Sequence, residues 1–343
     1  MGLLLLVTFV FVITFCLCWL LLRYAGALNL IDVPNQRSSH LVPKARGGGV
    51  AFALTFLASL LVLVTNADVD NHLLIAVLGA GTVVAVLGFL DDFTDVSIRW
   101  RLLGHFASAI WALYWLGGLP PLLVLGYSFD LGVIGHVLAA VYIVWLLNLY
   151  NFMDGIDGID GIASVEAICV CLGGALLYVL LGAANLALVP VLLAAAVAGF
   201  LCWNFPPARI FMGDAGSGFL GVILAILSLQ AAWFKAELLW SWVILLGVFV
   251  VDATFTLLRR LVRGDKVYEA HCSHAYQYAS RQFAAHRPVT LAVMLINLVW
   301  LLPMALLVGL GYIDGLLGVC IAYLPLVLLA LKFKAGQLEK AES

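Results

Sequence analysis

Charge is what this chain has least of. Only 10% of its 343 residues are Asp, Glu, Lys or Arg, while 65% are apolar and the mean hydropathy is +1.13. A soluble globular domain carries roughly 25% charged residues, so that class is excluded. The net charge of −2 is spread without any basic stripe, which leaves no electrostatic footprint for nucleic acid. Cysteine is scarce as well. Of seven, six (Cys16, Cys18, Cys169, Cys171, Cys202 and Cys320) lie inside apolar runs as small hydrophobes, so neither a disulfide framework nor a zinc site is indicated.

Long apolar runs fill the space that charge leaves. A bilayer core about 30 Å thick needs roughly 20 helical residues per crossing, and only helices or closed barrels satisfy their backbone polar groups there. The runs are continuous, which selects helices. They predict an all-α polytopic membrane protein with about eleven spans, forming a single membrane domain over residues 1–343. The first run lacks a basic leader and a small-residue cleavage site, and Arg23 and Tyr24 follow it directly, so it reads as a retained helix. Nearly all Lys and Arg fall in one set of alternating connections. The opposite set holds Lys235 with Asp68, Asp70, Asp130, Glu237 and Asp314. The positive-inside rule makes the basic set cytoplasmic, with the N-terminus outside and the C-terminus inside. Its connections, at about 23–47, 91–100, 151–160, 205–214 and 259–288, hold most of the chemistry-bearing residues.

Three acidic groups emerge from separate crossings on that same face. Asp91 and Asp92 end one run; Asn151, Asp154 and Asp157 recur every three residues at the end of another; Asp214 opens a later one, after Asn204, Pro206, Pro207 and Phe211. Taken singly, Asp214 is a helix cap and Asp91 with Asp92 an interfacial pair. Carboxylates converging beside Arg99, Arg101, His271 and His274 instead suit a divalent cation held against phosphate. Glu166 and Asp252 lie within spans, where they are expected to face the bundle and pair with polar groups.

The ordered set Asp32-Val-Pro-Asn-Gln-Arg37-Ser-Ser-His40 with Gly47-Gly48, Asp91-Asp92, Asn151-x-x-Asp154-Gly-x-Asp157-Gly and Phe211-Met-Gly-Asp214-x-Gly-Ser217 resembles the polyprenyl-phosphate N-acetylhexosamine-1-phosphate transferase family. The match runs from about residue 30 to about residue 280. His271-Cys-Ser-His274 is similar to that family's last cytoplasmic loop, although relatives often place a basic residue where Cys272 stands. The isolated histidine pair resembles the O-antigen or common-antigen branch more than the muramoyl-pentapeptide branch.

The resemblance implies transfer of an N-acetylated sugar 1-phosphate from a UDP-sugar to undecaprenyl phosphate in the bacterial inner membrane, with Mg²⁺, or Mn²⁺ in its place, and a homodimer is compatible with it. It implies catalytic roles for Asp91, Asp92, Asp214 and His271, with the metal on Asp214 and Asp91. It gives substrate contacts to Arg37, His40, Arg99, Arg101, Asn151, Asp154, Asp157, Asn204, Phe211 and His274. Two other classes stand beside it: an ion-coupled transporter using Glu166 and Asp252, and an inactive scaffold for glycan assembly. Transporters place their binding groups near the midplane, often within internal repeats, whereas these acids cluster at span ends.

Overall fold

The computed structural model describes residues 2–28, 30–32, 43–66, 69–94, 96–154, 161–266 and 272–337. The apolar runs are helices. In chain order they are α1 (Gly2–Tyr24), α2 (Gly48–Asn66), α3 (Asn71–Thr94), α4 (Ile98–Leu116), α5 (Gly132–Asp154), α6 (Ile162–Leu180), α7 (Leu188–Asn204), α8 (Asp214–Phe234), α9 (Glu237–Leu245), α10 (Gly247–Arg263), α11 (Ala275–Phe283), α12 (Arg287–Ile296), α13 (Leu302–Gly309) and α14 (Gly315–Lys332). Among the described residues, eight helical stretches are long and apolar enough to cross a bilayer, and a ninth is α9 with α10 taken as one broken span. Helices α2 and α4 fall outside that set; α4 opens with Arg99 and Arg101, which lower its hydropathy.

The centre of the bundle is α8. It is apolar on every side and buried from Ala215 to Ala232, the pattern of a helix wrapped by others. It packs most heavily on α3 and α5. Lipid tails are as apolar as leucine, so helices in a membrane associate through close packing of small residues. A Cβ built on Gly221 of α8 would lie 2.5 Å from the Leu146 carbonyl oxygen of α5. One on Gly49 of α2 would lie 2.3 Å from Gly216 Cα. Backbone therefore touches backbone at these crossings, and no larger residue fits.

Two features depart from a set of straight spans joined by plain loops. The run near 238–258 is expected as one crossing, but it bends by 74° between α9 and α10. A bend frees backbone N–H groups at the start of the second half, and burial makes them costly. Glu166 of α6 faces this break, its carboxylate lying near the Phe249 backbone N–H and accepting, at 2.5 Å, from Asn297 Nδ2. Asn297 begins a π-helical turn, Asn297–Leu301, between α12 and α13. Glu166 is fully buried, and its partners are structural, as the sequence pattern leads one to expect.

The second feature is a hairpin where a plain connection is expected around Pro120, Pro121 and Asp130. Strands β1 (Leu122–Val124) and β2 (Tyr127–Phe129) pair in antiparallel register. Leu125 and Gly126 take φ of 50° and 80°, the two positive values that a tight hairpin turn needs. The Trp240 indole on α9 donates to the Leu123 carbonyl at 2.7 Å and holds the hairpin down. Lys235, the lone cation on this side, is satisfied by the Gly309 carbonyl at 2.8 Å and by Glu237.

Candidate active site

The end of α3, the start of α4, the end of α5 and the start of α8 meet at one end of the bundle. Gly88 makes the meeting close, because a Cβ there would lie 2.5 Å from the Asp214 carbonyl oxygen. One turn on, Asp91 and Asp92 face different ways. Asp91 Oδ2 pairs with Arg101 Nη1 at 2.6 Å, and Oδ1 accepts from the Val96 backbone N–H at 2.8 Å, which fixes the turn between α3 and α4. Its side chain is also within hydrogen-bonding reach of the Asp214 carboxyl.

Asp92 instead caps α8. Its Oδ1 accepts from the Asp214 backbone N–H at 3.1 Å and its Oδ2 from that of Ala215 at 3.4 Å. The first N–H groups of a helix have no partner within it, and a carboxylate there also meets the positive end of the helix dipole. Asp92 therefore sets the position of Asp214 through the backbone. Arg46 lies close enough to act on the charge of Asp92.

Arg101 and Asn151 complete the group. Arg101 Nη2 lies 3.9 Å from Asp214 Oδ2. With the Asn151 amide turned so that each of its atoms meets a complementary neighbour, it donates to Asp214 Oδ1 at 3.1 Å and accepts from Arg101 Nη2 at 3.2 Å. Four helices thus contribute one interlocked set: Asp91, Arg101, Asn151 and Asp214.

Three carboxylates here stand against the guanidinium groups of Arg101 and Arg46, and a phosphate brought to this end would add negative charge. An oxygen-only donor set of two carboxylates and an amide suits a hard divalent cation. Mg²⁺ commonly takes one or two protein carboxylates and completes its shell with water and phosphate. Among the described residues no group of three or more His, Cys, Asp or Glu is arranged to hold an ion alone. Asp214 and Asp91 would hold such a cation, and its charge would offset that of phosphate groups.

A second layer stitches the surrounding loops. The strand β3 (Ile31–Asp32) pairs with β4 (Lys44–Ala45), and Ala45 bridges to Ile210. The Phe211 N–H donates to the Ala45 carbonyl at 2.8 Å, and Gly48 N–H to the Phe211 carbonyl at 2.9 Å. The Lys44 ammonium sits 4.9 Å from the Phe211 ring centroid, a cation–π contact. Asn204 is buried, accepting from Ser164 Oγ at 3.1 Å and donating to the Ile210 carbonyl at 3.0 Å. It fastens the segment leading to Asp214.

His274 is likewise buried and shaped by Asp252, whose Oδ1 lies 3.3 Å from His274 Nδ1. The same carboxylate accepts from the Ala275 and Tyr276 backbone N–H groups at 3.0 and 3.1 Å, capping α11. Asp252 thus finds polar partners within the bundle, as expected, at a helix start instead of an arginine. Arg99 is exposed, and Asp154 ends α5 half-buried. Arg37, His40, Asp157 and His271 lie outside the described residues. Sequence reasoning missed Arg46, Ser164 and His105. The available signal for His105 was its place four residues after Arg101, on the same face of α4.

With this geometry in place, the comparisons are consistent. The description "Glycosyl transferase family 4" fits residues 74–232. The chain is 30% identical over 290 residues to a probable undecaprenyl-phosphate N-acetylglucosaminyl 1-phosphate transferase of Bacillus subtilis (strain 168), covering 81% of this chain and 77% of the relative. It is 28% identical over 306 residues to a decaprenyl-phosphate N-acetylglucosaminephosphotransferase of Mycobacterium tuberculosis (strain ATCC 25618 / H37Rv), covering 79% and 74%. A phospho-N-acetylmuramoyl-pentapeptide-transferase of Moorella thermoacetica is 32% identical over 227 residues, covering 62% of this chain and 67% of the relative.

Proposed function

The chain belongs to glycosyl transferase family 4, and from that premise we propose that it transfers an N-acetylated sugar 1-phosphate from a UDP-sugar to undecaprenyl phosphate, releasing UMP. It is a multi-pass membrane protein of the polyprenyl-phosphate sugar-1-phosphate transferase class. The observation that carries the reading is the Asp91, Arg101, Asn151 and Asp214 set, assembled from four helices at one end of an otherwise apolar bundle. An acceptor with an apolar tail and a charged head needs that division, with lipid along the helices and polar chemistry at their ends.

The acceptor phosphate is a monoester with a second pKa near 6, so it is largely dianionic at neutral pH and needs no general base. Its oxygen attacks the sugar-bearing phosphorus. The bond to the bridging oxygen breaks, and the electron pair leaves with UMP. The obstacle is the approach of two anions, which makes charge neutralisation and positioning the main requirements. Arg101 offers donors to the phosphates while Asp91 and Asn151 hold its guanidinium in place. Asp92 fixes the start of α8, and so Asp214, from behind. Mg²⁺ on Asp214 and Asp91 would supply positive charge to the diphosphate and the departing UMP.

In this reading all eleven apolar runs cross the inner membrane, α2 and α4 included, with the N-terminus outside and the working end in the cytoplasm. N-acetylglucosamine, the sugar in the Bacillus and Mycobacterium names, heads the donor panel. The product would begin a lipid-linked surface glycan such as O-antigen, common antigen, capsule or teichoic acid. The test is UMP release by purified protein given undecaprenyl phosphate, Mg²⁺ and a panel of UDP-sugars, comparing wild type with Asp214→Asn. Lipid- and metal-dependent UMP from one donor, lost in the variant, is expected. A folded wild type that releases no UMP from any donor would overturn the reading.

A further inference from the structure

One imidazole in this site has no counterpart. His105 of α4 is 6% exposed, and its Nδ1 is enclosed with no hydrogen-bond partner among the described residues. A buried polar nitrogen without a partner is rare in folded proteins, because it forfeits its hydrogen bond to water and receives nothing back. An apolar neighbourhood would be better filled by leucine. His105, however, lines the same cleft as Asp91, Arg101, Asn151 and Asp214, one helical turn beyond Arg101. The cleft has room for about one water molecule. Val84, Leu87 and Leu147 line it as well, so apolar side chains share the cleft with the polar groups.

We propose that His105 is a positioning residue of this site, whose imidazole fixes a water molecule in the cleft and presents it, beside Asp91 and Asp214, as a ligand of an oxygen-bound divalent cation. This inference rests on the transferase reading. A neutral imidazole carries one donor and one acceptor, and a water can meet either while its remaining hydrogens and lone pairs face the carboxylates. Mg²⁺ keeps several waters in its shell, so a site with few protein ligands depends on groups that hold those waters. Outer groups of this kind orient the inner ligands, and their loss commonly costs 10–100-fold in metal affinity or activity.

The test compares full-length wild type with His105→Leu and His105→Gln, the latter restoring an amide within the cleft. Three quantities are read: melting temperature in EDTA, Mn²⁺ affinity from paramagnetic resonance in the presence of UDP, and kcat and KM for UMP release. His105→Leu should melt at or above the wild-type temperature, since it removes an unpaired group. It should bind Mn²⁺ ~10-fold more weakly and lose ~10-fold or more in kcat, with KM for the UDP-sugar changed less than about twofold. His105→Gln should recover part of both losses. Wild-type Mn²⁺ affinity and kcat in the leucine variant would overturn this proposal alone. So would a loss of melting temperature in both variants that accounts for the lost activity, because His105 would then serve the fold. Wild-type protein that releases no UMP from any donor would overturn the transferase reading, and this inference with it.

Discussion

Asp91 and Asp92 are chemically identical neighbours, yet the structure gives them different work, and substitution can separate the two. Asp92 is the partner of two backbone N–H groups at the start of α8. Leaving a buried donor unsatisfied costs about 1–3 kcal/mol, and a carboxylate at a helix N-terminus adds about 0.3–1 kcal/mol. The longer of the two bonds, at 3.4 Å, counts for less. Asp92→Ala should therefore cost about 3 kcal/mol at the helix end that carries Asp214. Asp92→Asn keeps an acceptor for the Asp214 N–H and should cost about 1 kcal/mol, since Asn caps helices as well as Asp does. If those energies appear as displacement of Asp214, they translate to roughly 100-fold and 5-fold losses of kcat/KM, at about 1.4 kcal/mol per decade.

Asp91 should behave in the opposite way. Its negative charge faces Arg101 and Asp214, so Asp91→Asn and Asp91→Ala should be similarly damaging, by roughly 100-fold or more. The assay is UMP release alongside thermal unfolding of all four variants in one lipid preparation. Asp92→Asn as inactive as Asp92→Ala, with both melting like wild type, would refute the capping argument and place the Asp92 carboxylate directly on a substrate.

Two further predictions concern the scaffold. Gly49→Ala should prevent stable folding, because its Cβ would meet the backbone of Gly216 at 2.3 Å, whereas Gly218→Ala meets side chains alone, Val84 Cγ1 at 3.2 Å and Leu147 Cδ2 at 3.6 Å, and should be tolerated. Yield and melting temperature of the two variants check this. Asp252→Ala removes the shared partner of His274 and two N–H groups of α11, so it should destabilise that helix by about 2–4 kcal/mol, seen as faster amide exchange over residues 274–280 with α3 unaffected.

The sequence alone determined a good deal of this. Scarce charge and long apolar runs required a membrane protein, and the continuity of those runs chose helices over a closed barrel, the other structure that satisfies a backbone in lipid. The separation of Lys and Arg from the opposite connections predicts an orientation, and the parity of the runs predicts that Asp91, Asn151 and Asp214 share one end, where the fold brings them together. The ordered motifs carried the family resemblance. These are properties of composition, period and order, all of which are local or countable.

What the tertiary structure decided are matters of direction and partner. Whether Asp91 or Asp92 faces the cleft depends on the rotation of α3 against α8, set by backbone contact at Gly88. The 74° bend between α9 and α10 brings the freed backbone at Phe249 beside Glu166, some eighty residues earlier in the chain. Asn204 and His274 are buried, and the partners by which they fasten loops come from segments far away in the chain. His105 looked like one more residue of a span until the cleft formed around it. A side chain's chemistry is written in the sequence, but its partner is chosen by packing across distant segments, and no local pattern encodes that choice.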